Sequence, residues 1–401
     1  MLGNDQDATT FAQHGELLDR AWINFQQQAE PSVGEEYRDF IAGHDWLGDY
    51  ALFMAIREQQ SGRPWTHWPA GLRDRDVVEL ARVKNQLSER IGFHQFAQFI
   101  FFRQWQDLRG YAKQHGVLLF GDLPIYVSQD SADVWVNRDL FLLDNEGEAE
   151  IVAGVPPDYF SEDGQRWGNP QYDWEAMQLS NFSWWKQRMH TQFELFDLVR
   201  IDHFRGLQAY WEIPAEEETA INGRWVAAPG EDLLKAIHDD LNHLDLVAED
   251  LGIITEEVTA LRGQFGLPGM KVLQFAFDGD PGNAYLPHNH EFNSVVYTGT
   301  HDNDTTLGWF SNLDNLQAER VYEYLGAARD EAMPWPLIRA SLASTCCLAV
   351  LPMQDVLELG QGHRMNTPGT MEDNWRWRFD WSQVTDRATG RLYGLCQLYD
   401  R

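Results

Sequence analysis

Short apolar runs that end on a carboxylate recur along this 401-residue chain. "VLLFGDLP" reaches Asp122, "FDLVRID" Asp202, "LDLVAED" Glu249 and Asp250, "MKVLQFAFD" Asp278, "SVVYTGTHDND" Asp302 and Asp304, and "CLAVLPMQD" Asp355. Helical patterns such as "GEDLLKAIHDDLNHL" and "TEEVTALRGQFG" lie between several of them. Residues 76–115 read as two helices, with Ile91, Phe96, Phe99, Ile100, Leu108 and Tyr111 at mostly helical spacing and Gly116 as the stop. Strands are predicted over 117–120, 198–201, 246–248, 271–275, 295–298 and 348–351. Such alternation implies βαβ units and a parallel sheet, and acids at successive C-terminal strand ends mark the active-site face of a (β/α)8 TIM barrel. A doubly wound sheet would announce its ligand site with a glycine-rich phosphate turn, and neither G-x-G-x-x-G after a strand nor G-x-x-x-x-G-K-[ST] occurs. The predicted fold class is therefore α/β, of (β/α)8 type with insertions. No repeat or Pro/Ser-rich linker divides the chain, so one catalytic domain over 1–401 is expected, with a helical part over 1–75.

A formal net charge of -31 excludes a nucleic-acid partner, which needs clustered Lys and Arg. No charged leader followed by an apolar segment and no long apolar run is present, so a soluble, cytoplasmic protein without a membrane partner is expected. Three cysteines, Cys346, Cys347 and Cys396, make neither a disulfide framework nor a metal spacing and read as buried, reduced thiols. Seventeen tryptophans supply flat apolar faces, which suit sugar rings as well as a core. "HNH" at His288 to His290 lacks supporting ligands, and "DGDPGN" from Asp278 would place Asn289 where a calcium loop carries Glu. No metal is predicted at either.

Asp202, Glu249 and Asp302 come from three strand ends, which a closed barrel would bring into one pocket. Paired carboxylates suit glycosyl chemistry, one as nucleophile and the other as general acid and then base. The roles need unlike environments. Asp202 has Arg200 two positions earlier, on the same side of an extended strand, to keep it ionised. Glu249 has acidic and apolar neighbours that favour its protonated form.

At this point "VRIDHFRGL", "VAEDLGIIT", "YTGTHDNDTTLGW" and "GDLPIYV" closely resemble the amylomaltases, the 4-α-glucanotransferases of the α-amylase-like superfamily. The resemblance runs from about Ser61 to Arg378 and includes "AGVPPDYFSEDGQRWGNPQYDW", "PGMKVLQFAF", "LPMQD" and "RMNTPG". It implies Asp202 as nucleophile, Glu249 as general acid/base and Asp302 as stabiliser of an oxocarbenium-like sugar. It also implies that Arg200 holds Asp202 and that His301 and Asp122 hydrogen-bond the sugar at the cleavage point. The implied reaction moves α-1,4-glucan segments from a maltodextrin donor to the 4-hydroxyl of glucose or another maltodextrin, with retention and without a cofactor. Two other readings stand beside it: an amylase-like hydrolase and a catalytically incompetent glucan-binding remnant.

Transfer in place of hydrolysis calls for a covered site. The Gly, Pro and aromatic segment 154–174 shows no steady period and is the predicted lid, with Tyr159, Phe160 and Trp167 to stack on sugars and Gln165 to hydrogen-bond a hydroxyl. Phe275 and Asp278 are assigned to the acceptor side. Amylomaltases carry further sequence before this resemblance begins, so 76–401 would hold barrel strands three to eight. An incomplete barrel is expected, its gap beside the Asp122 strand, to be completed by a lost N-terminal segment or a second polypeptide.

Overall fold

Amphipathic helices open the chain, which was analysed as a computed structural model describing residues 4–157, 161–328, 330–370 and 372–401, with side chains from residue 14 onward. It divides into two compact units, residues 1–199 with 206–243, and residues 200–205 with 244–401.

In the first unit, helices Asn4–Gln28, Pro31–Gly43, Asp45–Gln59, Val77–Gln86 and Ser88–Gln114 bear out the helical reading of this region. Phe93, Phe96 and Phe99 stand at successive turns of one helix and bury against Trp22, with Phe25, Tyr37 and Phe40 packed around them. Asp76 caps the following helix by accepting the Glu79 N–H. Strand β1 is Phe120–Leu123, β2 Ile151–Val155, β3 Gln165–Pro170, β4 Leu198–Ile201, β5 Ala209–Pro214 and β6 Arg224–Ala227. Strands β3, β2, β5 and β6 form an antiparallel sheet in that order. The segment expected to be irregular thus contains paired strands, because Gly154 lets β2 and β3 approach closely. A Cβ there would sit 2.2 Å from the Gln165 carbonyl oxygen.

The second unit holds β7 (Leu246–Ala248), β8 (Gly269–Val272), β9 (Ser294–Tyr297) and β10 (Leu348–Val350). Strands β8, β9 and β10 pair in parallel, with Val295 opposite both Met270 and Leu348. Near-continuous apolar runs such as Leu246–Ala248 are what a strand covered on both faces requires. One core packs Leu273, Val296, Val321, Met333, Leu337 and Cys346. A second packs Trp335, Ile338 and Leu342 against Ala388 and Leu395 of the last helix.

All six expected strand regions contain a strand, three of them displaced, the fifth by a single residue to Ser294–Tyr297. The first begins at Phe120, leaving Val117 and Leu118 exposed, and the fourth ends at Val272, where Leu273–Phe275 turns as a 3-10 helix. The cysteine expectation needs correction for Cys347, which is exposed, and for Cys396, which is half-buried, while Cys346 is buried. Burial alternates from residue to residue over 344–347, so only one of the pair reaches the core. Among the described residues no helix is long and apolar enough to cross a membrane.

Candidate active site

The end of β4 delivers Arg200 and Asp202 within the second unit. Arg200 is buried, its guanidinium lying 2.9 Å from Asp202 Oδ1 and its Nε 3.4 Å from Met270 Sδ. After Asp202 the chain turns sharply at His203, whose φ of 52° is left-handed, and enters a 3-10 turn at Phe204. This turn is stitched to the end of β7. The Glu249 N–H donates to the Ile201 carbonyl at 3.0 Å, and the Phe204 N–H donates to the Glu249 carbonyl at 3.1 Å.

Both oxygens of the Glu249 carboxyl accept main-chain bonds, Oε2 from His203 N at 2.7 Å and Oε1 from Leu251 N at 2.9 Å. Burial nevertheless pushes its pKa up to about 7, against the pull of Arg200 and the two N–H groups and with the negative charge of Asp202 acting in the same upward direction. Burial and the adjacent charge of Arg205 push His203 down to about 4, so its imidazole is neutral at pH 7.

Asp302 follows β9. Its Oδ2 lies 3.2 Å from His301 Nε2, its Oδ1 accepts from Asn366 Nδ2 at 2.6 Å, and its carbonyl accepts from Arg364 at 2.7 Å. Burial raises the Asp302 pKa, but His301, Asn366 and the charge of Arg200 together outweigh it and hold the carboxyl below the usual range. The Trp375 ring lies tilted against the His301 ring, centroids 5.0 Å apart. A cavity of about 270 Å³ beside these groups is lined by Arg200 of β4, Met270 of β8, Tyr297 of β9 and Val350 of β10, together with His301 and Trp375.

The two acids adjacent in sequence part company here. Asp250 turns away from Glu249 to accept the Met270 N–H at 2.7 Å and face Arg262 Nε at 3.3 Å. Asp355, another strand-end acid, is fully buried and accepts from Thr298 Oγ1 at 2.6 Å and from the Thr306 N–H and hydroxyl at 2.8 and 2.7 Å. It braces the loop behind Asp302.

The second unit therefore gathers Arg200, Asp202, Glu249, His301 and Asp302. Phe275 and Asp278 share a turn of that unit, where Asn283 Nδ2 reaches the Phe275 carbonyl and Asp278 Oδ2, both at 2.9 Å. Asp122, Gln165 and Trp167 belong to the first unit. Asp122 is exposed on β1, and the Gln165 side chain accepts from Trp167 Nε1 at 3.2 Å. Tyr159 and Phe160 lie outside the described residues. Asn366 and Arg364 carried no assigned role in the sequence, although "RMNTPG" contains both. The signal was there as a motif, but nothing in the residues themselves joined it to Asp302.

A family model described as 4-alpha-glucanotransferase matches residues 6–384 of this chain. The chain belongs to that 4-alpha-glucanotransferase family. Its sequence is 48% identical to the 4-alpha-glucanotransferase of Synechocystis sp. over 97% of this chain and 78% of the relative. It is 47% identical to that of Thermus thermophilus over 96% of this chain and 78% of the relative. Among solved structures, the amylomaltase from Streptococcus agalactiae in complex with acarbose matches with a TM-score of 0.94 at 37% identity, covering 98% of this chain and 79% of that one. The expected resemblance and enzyme class are borne out, and the α/β fold is that of an amylomaltase. Among the described residues of this glucanotransferase no group of three or more His, Cys, Asp or Glu is arranged to hold a metal ion.

Proposed function

We propose that this glucanotransferase moves α-1,4-glucan segments from maltodextrins to the 4-hydroxyl of glucose or of another maltodextrin by a retaining double displacement. The observation that carries this reading is the contrast between two acids on neighbouring strand ends. Asp202 faces a buried guanidinium at 2.9 Å, whereas Glu249 is shifted by burial to about 7. Glu249 protonates the glucosidic oxygen while Asp202 attacks the anomeric carbon, and the first fragment departs from a covalent glucosyl-enzyme. Glu249, now ionised, takes the proton from an acceptor 4-hydroxyl, which displaces Asp202 and restores the α configuration. Asp302, held ionised by His301 and Asn366, stabilises the positive charge that develops on the sugar ring in both steps. His301 and Asp122 hydrogen-bond that sugar. Segment 154–174 acts as the lid, with Gln165 and Trp167 binding sugar, and Phe275 and Asp278 belong to acceptor binding; the stacking roles expected of Tyr159 and Phe160 fall outside the described residues. The solved relative's complex with acarbose supports the ligand class.

Strands β1, β4, β7, β8, β9 and β10 are, in this reading, six of the eight of a (β/α)8 barrel, the other two being supplied by polypeptide outside these residues. The test is incubation of the purified chain with maltotriose and separation of products by length. Glucose with maltopentaose and longer chains, at nearly constant reducing ends, supports transfer. Rising reducing ends indicate hydrolysis, and unchanged maltotriose indicates a glucan-binding protein without turnover. If the six-strand reading holds, adding the N-terminal part of a family member raises the rate.

A further inference from the structure

The N–H groups of a buried guanidinium need acceptors, and one of those that Arg200 finds is a sulfur. Its Nε–H donates to Met270 Sδ at 3.4 Å, a buried contact between side chains 70 residues apart in sequence, while its Nη2 faces Asp202 Oδ1 at 2.9 Å. We propose that Met270 is a positioning residue of the active site, whose thioether holds the Arg200 guanidinium against Asp202 without drawing on its charge. This rests on the reading above, in which Asp202, Glu249 and Asp302 carry the chemistry.

Met270 is fixed from both ends. It is buried, β8 pairs it with Val295, and its main-chain N–H donates to Asp250 Oδ1 at 2.7 Å. It thereby links the end of β7, where Asp250 follows Glu249, to the end of β4, where Arg200 precedes Asp202. An unbranched thioether is long and flexible enough to reach across, and its sulfur accepts an N–H only weakly. That weakness has a use. A carboxylate in the same place would form an ion pair with Arg200 and neutralise it, whereas a neutral sulfur satisfies Nε and leaves the charge to the acids around it. Those acids are Asp202, Glu249 from the end of β7 and Asp302 after β9, with Asp304, His301 and Arg364 lining the same cavity as Arg200. The charge of Arg200 pulls the pKa of both Glu249 and Asp302 downward.

A role in packing alone would make leucine, apolar and of similar volume, the milder replacement for Met270 and glutamine the harsher one. A role as acceptor to Arg200 reverses that order, because glutamine supplies an amide oxygen where leucine supplies nothing.

The experiment compares Met270→Leu with Met270→Gln in the full chain. Glutamate isotopically labelled at its side-chain carboxyl lets NMR follow the titration of Glu249, whose signal is identified by its loss in Glu249→Gln, and this readout needs no turnover. The midpoint near 7 is expected to rise by about half a pH unit or more in Met270→Leu, where Arg200 loses its hold, and to stay with the parent's in Met270→Gln. Maltotriose turnover at the optimum is expected to fall about tenfold in Met270→Leu and about threefold at most in Met270→Gln. A Met270→Leu midpoint equal to the parent's, or a Met270→Gln midpoint displaced as far as that of Met270→Leu or further, overturns the inference. Should Met270→Leu not fold, growth on norleucine, which replaces each methionine sulfur by a methylene, is expected to raise the midpoint in the parent sequence and not in Met270→Gln; no rise in the parent overturns the inference equally. The enzymatic reading fails separately, through unchanged maltotriose with the wild-type chain, which leaves the NMR comparison standing.

Discussion

The main-chain N–H of His203 donates to Oε2 of Glu249 at 2.7 Å, so the residue that follows Asp202 grips the neighbouring acid. One turn thereby positions Glu249 and Asp202, the proposed proton donor and nucleophile. Because the grip is through backbone, Asp202→Asn leaves it in place. This variant is expected to lose about ten-thousand-fold or more in turnover of maltotriose while still folding. Retained turnover would reject Asp202 as the nucleophile.

Glu249 is protonated up to about pH 7 because burial favours the neutral acid. In the proposed role of proton donor it is lost above that value, so kcat/KM is expected to fall about tenfold per pH unit beyond it. Glu249→Gln is expected to slow maltotriose by about a hundred- to ten-thousand-fold. A glucosyl fluoride donor, whose leaving group needs little protonation, would be slowed less in its first step. A profile flat to pH 9 would remove Glu249 from the acid role.

Asn366 donates to Asp302 at 2.6 Å and helps to hold that carboxyl ionised. Its removal raises the Asp302 pKa, so in Asn366→Ala the acidic limb of the rate profile is expected to move to higher pH. The rate at the optimum is expected to drop by about a hundredfold, the scale of a slightly misplaced group. An unmoved limb would mean that Asn366 serves structure only.

Asp355 is predicted to matter for stability. Replacing it with Ala strands two buried hydroxyls and one buried N–H, at a cost of about 3 kcal/mol or more in denaturant unfolding. Asp355→Asn keeps one acceptor and is expected to cost less.

The stretches "FDLVRID" and "LDLVAED" show how far reading residues alone could reach. Arg200 and Asp202 share a strand side by alternation, and their ion pair at 2.9 Å is a local consequence of that spacing. For Asp250, adjacency to Glu249 does not reveal which way the side chain points at the strand end. The choice came from β8, where a Cβ on Gly269 would lie 2.3 Å from Asp250 Oδ2, so the glycine makes room for that carboxylate. Likewise "VLLFGDLP" marked a strand correctly but not its start, since an apolar run carries no record of what covers it, and Val117 and Leu118 are exposed.

By itself the sequence determined the periodicities, the carboxylates at strand ends and the family, because each is written in residues close along the chain. The tertiary structure alone decided which acid is buried enough to hold a proton near neutrality and which donors reach Asp302. Those depend on desolvation and on groups as distant in sequence as Asn366, 64 residues from Asp302, which only folding brings within hydrogen-bond range.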